Sequence, residues 1–177
     1  MRAREITGIT LQKIGVHIWL GSLPERFSYE TSDWLTYSID MKKSAAFTES
    51  RSVGLRLRLH DFSGLLGATF IPQEDKALRI KVGVADLEIP GLLIRKGIPA
   101  DFAQVVMDEA VRTAGEFDFL GTGTLEFSHG GFDPVYSSEK LFRFLAQGIL
   151  WLLDPNLEAA QDEQIIAVVD RSISGQQ

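Results

Sequence analysis

The chain contains no cysteine in its 177 residues. That removes disulfides, thiolate-bound zinc, iron–sulfur clusters and thiol nucleophiles together, and leaves packing and hydrogen bonds to hold the fold. A reducing, cytoplasmic setting is therefore the expectation. Long apolar runs are missing as well: the clearest stretch near the N-terminus, Ile14 to Leu20, is interrupted by Gly15 and His17. It falls short of the roughly 20 residues a spanning helix needs, so neither a secretory leader nor a membrane partner is expected. Positive charge is in deficit, with a formal net charge of −6. Such a field repels phosphate backbones, which disfavours RNA or ribosome contact except through a local basic patch. Histidine is scarce, at three residues, and no G-x-x-x-x-G-K-[ST] phosphate loop occurs. No metal and no cofactor are expected on these grounds.

Hydrophobic residues make up 45% of the chain and charged residues 24%, the balance of a folded globular protein. A chain of 177 residues sustains one core and is short for two, so residues 1–177 are read as a single domain. Residues 1–75 read as strand-rich. Ile14 to Leu20 forms a first run, closed by Gly21-Ser22-Leu23-Pro24, and Trp34 to Met41 forms a second in which Thr36, Ser38 and Asp40 alternate with apolar neighbours. Val53 to Leu59 alternates most cleanly, with Val53, Leu55, Leu57 and Leu59 on one face. Leu78 to Val84 repeats that pattern. The polar faces of these last two strands hold Arg56, Arg58, Arg79 and Lys81, which would form a basic stripe if the strands were neighbours in one sheet. Exposed strand faces also carry charge simply to prevent edge aggregation.

The later part adds helices. Ile98-Pro99-Ala100-Asp101 suits a helix start, and Phe102, Val106, Ala110 with Ala103, Met107, Val111 recur at helical spacing up to Gly115. Gly123 to Phe127 reads as a strand, followed by a turn at Ser128-His129-Gly130-Gly131. Ser137 or Ser138 caps a second helix whose apolar face runs from Leu141 through Phe142, Leu145 and Ile149 to Leu153. Ile165 to Val169 reads as a last strand, and 172–177 as a flexible tail. Early strands and late helices define the α+β class: a mainly antiparallel or mixed sheet with two principal helices packed on one face. The expected core is Leu55, Leu57, Ile80, Val82, Phe102, Val106, Leu125, Phe127, Phe142 and Leu145.

Residues 78–169 resemble domain IV of translation elongation factor G, a ribosomal protein S5 domain 2-like fold. The resemblance rests on Lys96-Gly97-Ile98-Pro99-Ala100-Asp101-Phe102 opening a helix, the strand Thr124 to Phe127, the turn His129-Gly130-Gly131, and Val135-Tyr136-Ser137-Ser138-Glu139 opening a second helix with Phe142 inward. It implies a free-standing binding or assembly module, translation-associated or repurposed. The chain departs from that family at Asp133, where the family usually carries a histidine, and it lacks the second, glycine-rich basic tip loop. An acid facing RNA phosphate is unfavourable, and without a phosphate loop the chain is no GTPase by itself.

The local binding candidates are His129, Gly130, Gly131, Asp133, Ser137 and Ser138, because free backbone N–H groups at a helix start beside glycines favour an anion. The plainer alternative is a turn and a cap. An enzymatic alternative uses His129, Asp133 and His60 as acid–base groups, and requires them to converge in a pocket. His60-Asp61 also invites comparison with metal-dependent phosphohydrolases, although too few further ligands accompany it. Glu126 with Asp133 or Glu139 is a candidate carboxylate pair, and Trp19, Trp34 and Trp151 are candidate pocket walls. A protein partner or a homo-oligomer joined through apolar strands or the second helix is the partner expected.

Overall fold

A computed structural model describes residues 1–58 and 63–175. His60 and Asp61 lie outside the described residues, as does Leu59. Nine strands and three helices follow in chain order: β1 (Arg4–Ile9), β2 (Gly15–Leu20), β3 (Trp34–Asp40), β4 (Arg51–Arg58), β5 (Gly64–Pro72), β6 (Ala77–Gly83), β7 (Leu87–Glu88), β8 (Arg95–Lys96), α1 (Ala100–Ala114), β9 (Gly123–Phe132), α2 (Glu139–Leu152) and α3 (Asp162–Ser174). The strands form one sheet in the order β1-β2-β4-β5-β9-β6-β3, with β7 and β8 attached at the side of β9. Every pairing is antiparallel except β6 with β9, which α1 connects as a crossover. The class is α+β with a mixed sheet.

All three helices lie on one face of that sheet. Helix α1 covers β6 and β3, α2 covers β4 and β5, and α3 packs beside α2 against β1. The helical periods that predict this are clean: Ala103, Val106, Met107, Ala110 and Ala114 form the buried stripe of α1. Ser138 caps α2 by accepting a hydrogen bond from the Leu141 N–H at 3.2 Å. Of the ten expected core residues, nine are fully buried and Phe102 is half-buried, stacked on Phe142 with ring centroids 4.6 Å apart.

Four expectations are corrected. Ile165 to Val169 is helix and not strand: Ile165, Val168, Val169 and Ile173 are buried at helical spacing. A reciprocal box between Gln161 and Gln164 starts α3, with Asp162 and Glu163 in its first turn. The β-branched run mimics a strand because both periods fit so short a segment. Residues 172–174, expected in a loose tail, belong to the same helix, and Ser172 and Ile173 are buried. The sheet accordingly carries three principal helices where two were expected.

Ser128 to Gly131 is the next correction, for it is not a turn. These residues stay in β9 and pair with β5, Gly67 opposite His129 and Leu65 opposite Gly131, across a bulge that displaces the register between Gly67 and Ala68. Glycine is needed at 130 for a different reason: a Cβ there would lie 2.6 Å from the Gly97 carbonyl oxygen. The Gly97 N–H donates to the Gly130 carbonyl at 2.8 Å, so the two backbones touch. The last correction concerns the basic stripe, which requires β4 and β6 to be neighbours. Strands β5 and β9 lie between them.

Strand β5 has no polar alternation to announce it, since Gly64 to Ala68 are buried on both faces. Its helix-facing side holds Leu66, Ala68 and Phe70. On the opposite side Leu65 is covered by Trp19 and Phe27, with Ile89 and Ile94 closing the cluster.

Candidate functional site: the uncovered sheet face

Side chains alternate across a strand, so the polar positions of β1, β2, β4, β5, β9, β6 and β3 share the face that the helices leave open. A segment from Leu23 to Tyr29 lies across the middle of that face. Leu23 reaches over Gly54 and Gly67, Ser28 pairs with His129, and the Tyr29 hydroxyl donates to the Gly83 carbonyl at 2.6 Å. Burial raises the Tyr29 phenol well above its usual value, with the charge of Glu126 adding to the effect. The strap divides the open face into two wings.

On the β6–β3 wing the cations are neutralised. Arg79 pairs with Asp75, and Lys81 lies 3.8 Å from Glu126 and over the Trp34 ring at 4.6 Å from its centroid. Glu126 is therefore an ion-pair partner of Lys81 and not half of a carboxylate pair. Three strand spacings, about 14 Å, separate this wing from β4, which exceeds the roughly 8 Å screening length at physiological salt.

The β1–β2–β4 wing is different. Register sets Thr7 opposite His17 and His17 opposite Arg56, and one row further Gly15 opposite Arg58. Lys13 arrives from the β1–β2 turn. The Thr10 hydroxyl accepts from the Ile14 N–H at 3.1 Å and the Lys13 N–H donates to the Thr10 carbonyl at 2.9 Å, which fixes Lys13 at φ 63°. That left-handed conformation is uncommon for a residue with a Cβ. Together these side chains line a groove of about 290 Å³. Gly15 leaves its floor bare, and a Cβ there would stand 3.3 Å from the Arg58 carbonyl. His17 stacks on Trp19 with centroids 3.9 Å apart and is bonded to Glu5. The Arg56 guanidinium is pushed below its ordinary pKa, first by burial and then by the charge of Arg58 two residues along. Among the described residues, no carboxylate lines the groove, and neither Lys13 nor Arg58 has an ion-pair partner. Sequence reading singled out Arg56 and Arg58 by strand alternation. It missed Lys13 altogether and gave His17 no role, because only the β1–β2–β4 register unites them.

The residues around His129 do not assemble into one site. Its ring is bonded to Ser128 at 3.0 Å under the strap, and burial lowers its pKa against a weaker opposing pull from Glu25. Asp133 spends its carboxylate on the Val135 and Tyr136 N–H groups, at 2.8 and 3.2 Å. The Ser137 hydroxyl accepts from the Asp133 N–H at 2.8 Å and donates to the Ser63 carbonyl, while Ser138 is the helix cap. Gly130 and Gly131 serve strand packing. Asp133, Ser137 and Ser138 close a strand-to-helix corner.

The tryptophans also part company. Trp19 belongs to the covered cluster under the strap, Trp34 donates to the Thr31 carbonyl at 3.0 Å, and Trp151 meets Phe117 on the helix side. Among the described residues no three His, Asp or Glu side chains gather as a metal site, and no helix is long and apolar enough to cross a membrane. No protein-family model, curated protein or solved structure matches the chain.

Proposed function

We propose that this protein is a non-enzymatic binding or assembly module, cytoplasmic, related in fold to domain IV of elongation factor G, and that it meets its partner through the uncovered sheet face. One observation carries the reading: helices seal one side of the sheet, while the other side presents a cationic groove and a charge-balanced wing. Two further features support it. Of the groups the enzymatic alternative uses, the two among the described residues are engaged in structure, with His129 under the strap and Asp133 bonded to its own loop. The order helix α1, strand β9, then a capped α2 is the order of helix, strand and helix on which the resemblance rests, although 129–131 extend β9 and form no turn. The protein is not a GTPase by itself.

The test is recovery of partners from native lysate and co-sedimentation with ribosomes at low and moderate salt, comparing the intact chain with Arg58→Ser. The reading expects a partner that the variant loses at an unchanged melting temperature. Equal recovery by both, or no recovery by either, refutes it, and absence from ribosomes and RNA removes the translation-associated form alone. A homo-oligomer is favoured by one specific observation. Strands β1 and β3 end the sheet, and Ile9 at the end of β1 and Leu11 just after it are 69% and 93% exposed. Sedimentation equilibrium decides between monomer and dimer.

A further inference from the structure

We infer that two copies of this chain join their sheets by pairing β3 antiparallel with itself across a two-fold axis. The inference deepens the homo-oligomer reading above, rests on it, and names the strand and the register. Strand β3 pairs with β6 on one side and ends the sheet on the other. Among the described residues no backbone hydrogen bond reaches its outer side, so a row of N–H and C=O groups is open to another strand. Edge strands are usually blunted by lysine, proline, a bulge or short length. Trp34-Leu35-Thr36-Tyr37-Ser38-Ile39-Asp40 has none of these: it runs for seven residues, pairs with β6 in unbroken register, and carries its one charge at the last position. The opposite edge is protected. Strand β1 holds Arg4, Glu5 and Gly8 in six residues, and Arg4 is tied to Asp162 of α3.

A second copy fits this edge because the segment is complementary to its own reverse. With the axis at Tyr37 all seven positions pair: Leu35 meets Ile39 of the second copy, Thr36 meets its Ser38, and Trp34 meets its Asp40. Moving the axis to Thr36 or Ser38 shortens the ladder. The faces agree as well. Leu35, Tyr37 and Ile39 stand opposite Val82, Ile80 and Leu78 of β6, which are fully buried on the helix side, yet Tyr37 is 51% exposed. A two-fold axis normal to the sheet puts both helix layers on the same side and sets the two Tyr37 rings against each other beside the α1 helices. On the open face Thr36 and Ser38 are matched hydroxyl to hydroxyl. Charge is complementary too. Among the described residues Asp40 has no ion-pair partner, and the Trp34 that it faces across the axis lies beneath Lys81. Symmetry repeats that attraction, and no like charges are opposed along the ladder. An unrelated strand is the less suited occupant, since it would share the main-chain hydrogen bonds without the matched faces.

Because the chain has no cysteine, single cysteines in the purified full chain report the register directly. Opposed residues of an antiparallel pair have Cα atoms about 4.5–5.5 Å apart, within disulfide reach, whereas positions two residues out of register lie about 7–8 Å apart and beyond it. Under mild oxidation Tyr37→Cys should become a disulfide-linked dimer on a non-reducing gel, while Thr36→Cys, Ser38→Cys and Leu11→Cys should stay single chains. In sedimentation equilibrium Tyr37→Lys, which opposes two like charges at the axis, should raise the dimer dissociation constant about a hundredfold or more and keep the circular dichroism spectrum of the folded chain. Should that variant fail to fold, the cysteine pattern still decides. A monomeric wild type removes the homo-oligomer reading and this inference together. A dimer that Tyr37→Lys leaves intact, or that cross-links through Leu11→Cys or equally through residues 36, 37 and 38, overturns the β3 pairing alone.

Discussion

Replacing Arg51 by Met tests which part of its contact network holds the fold. Arg51 opens β4 and is only 3% exposed, yet its guanidinium serves the far end of α2. Its Nε donates to the Leu153 carbonyl at 3.0 Å, one Nη donates to the Asp154 carbonyl at 3.3 Å, and the other meets Glu158 at 2.6 Å. The last carbonyls of a helix have no partner within it, and a cation there also meets the negative end of the helix dipole. Methionine fills the same space and leaves the buried Leu153 carbonyl unsatisfied, at about 1–3 kcal/mol, while the half-buried Asp154 carbonyl keeps the Leu157 N–H at 3.1 Å. Loss of the Phe47 contact, 5.1 Å from the guanidinium carbon to the ring centroid, adds up to about 1 kcal/mol. Glu158 is about half exposed, so its ion pair is worth at most about 1 kcal/mol. Arg51→Met should therefore cost about 3 kcal/mol and Glu158→Gln less than about 1 kcal/mol. For a chain of 177 residues these costs translate into melting-point losses of roughly 6–12 °C and less than roughly 2–4 °C. Urea unfolding of both single variants and the double variant measures this. Equal costs would show that the ion pair dominates, and an Arg51→Met protein as stable as the wild type would show that the Leu153 carbonyl finds another partner. Either result refutes the capping argument.

Two further predictions concern β9. Gly130→Ala should destabilise by roughly 2–3 kcal/mol in thermal or urea unfolding, because its Cβ would press on the Gly97 backbone. Gly115→Ala, at φ −71° with nothing within 4 Å of the new Cβ, should be neutral or slightly stabilising, and equal costs would discount the close approach. His129 should contribute a pH dependence. Its folded pKa lies below the ordinary 6.5, so the unfolded chain binds the proton more tightly, and stability falls as pH drops from 6.5 toward the folded value. His129→Gln should flatten unfolding free energy against pH in that window, and an unchanged slope would assign the dependence to other groups.

The sequence alone carried the α+β class, the faces of β4 and β6, the limits of α1 and a serine cap of α2 at Ser137 or Ser138. Each of these is written in a local period or a local cap, and such signals survive wherever one face of an element is buried and the other wet. Strand β5 was not legible, because both of its faces are covered and no alternation marks it. Helix α3 was misread because a short β-branched run fits either period until a neighbouring surface selects one. The glycines at 130 and 131 pointed to a turn by composition, yet both lie in β9, where Gly130 packs against Gly97. The candidate site depended most on tertiary structure. Lys13, His17, Arg56 and Arg58 come from three chain segments, and only the hydrogen-bond register of β1, β2 and β4 brings their charges to one corner. The same register, by inserting β5 and β9 between β4 and β6, dissolved the stripe that the residue pattern had suggested. Register is fixed by long-range pairing and the burial of a whole face.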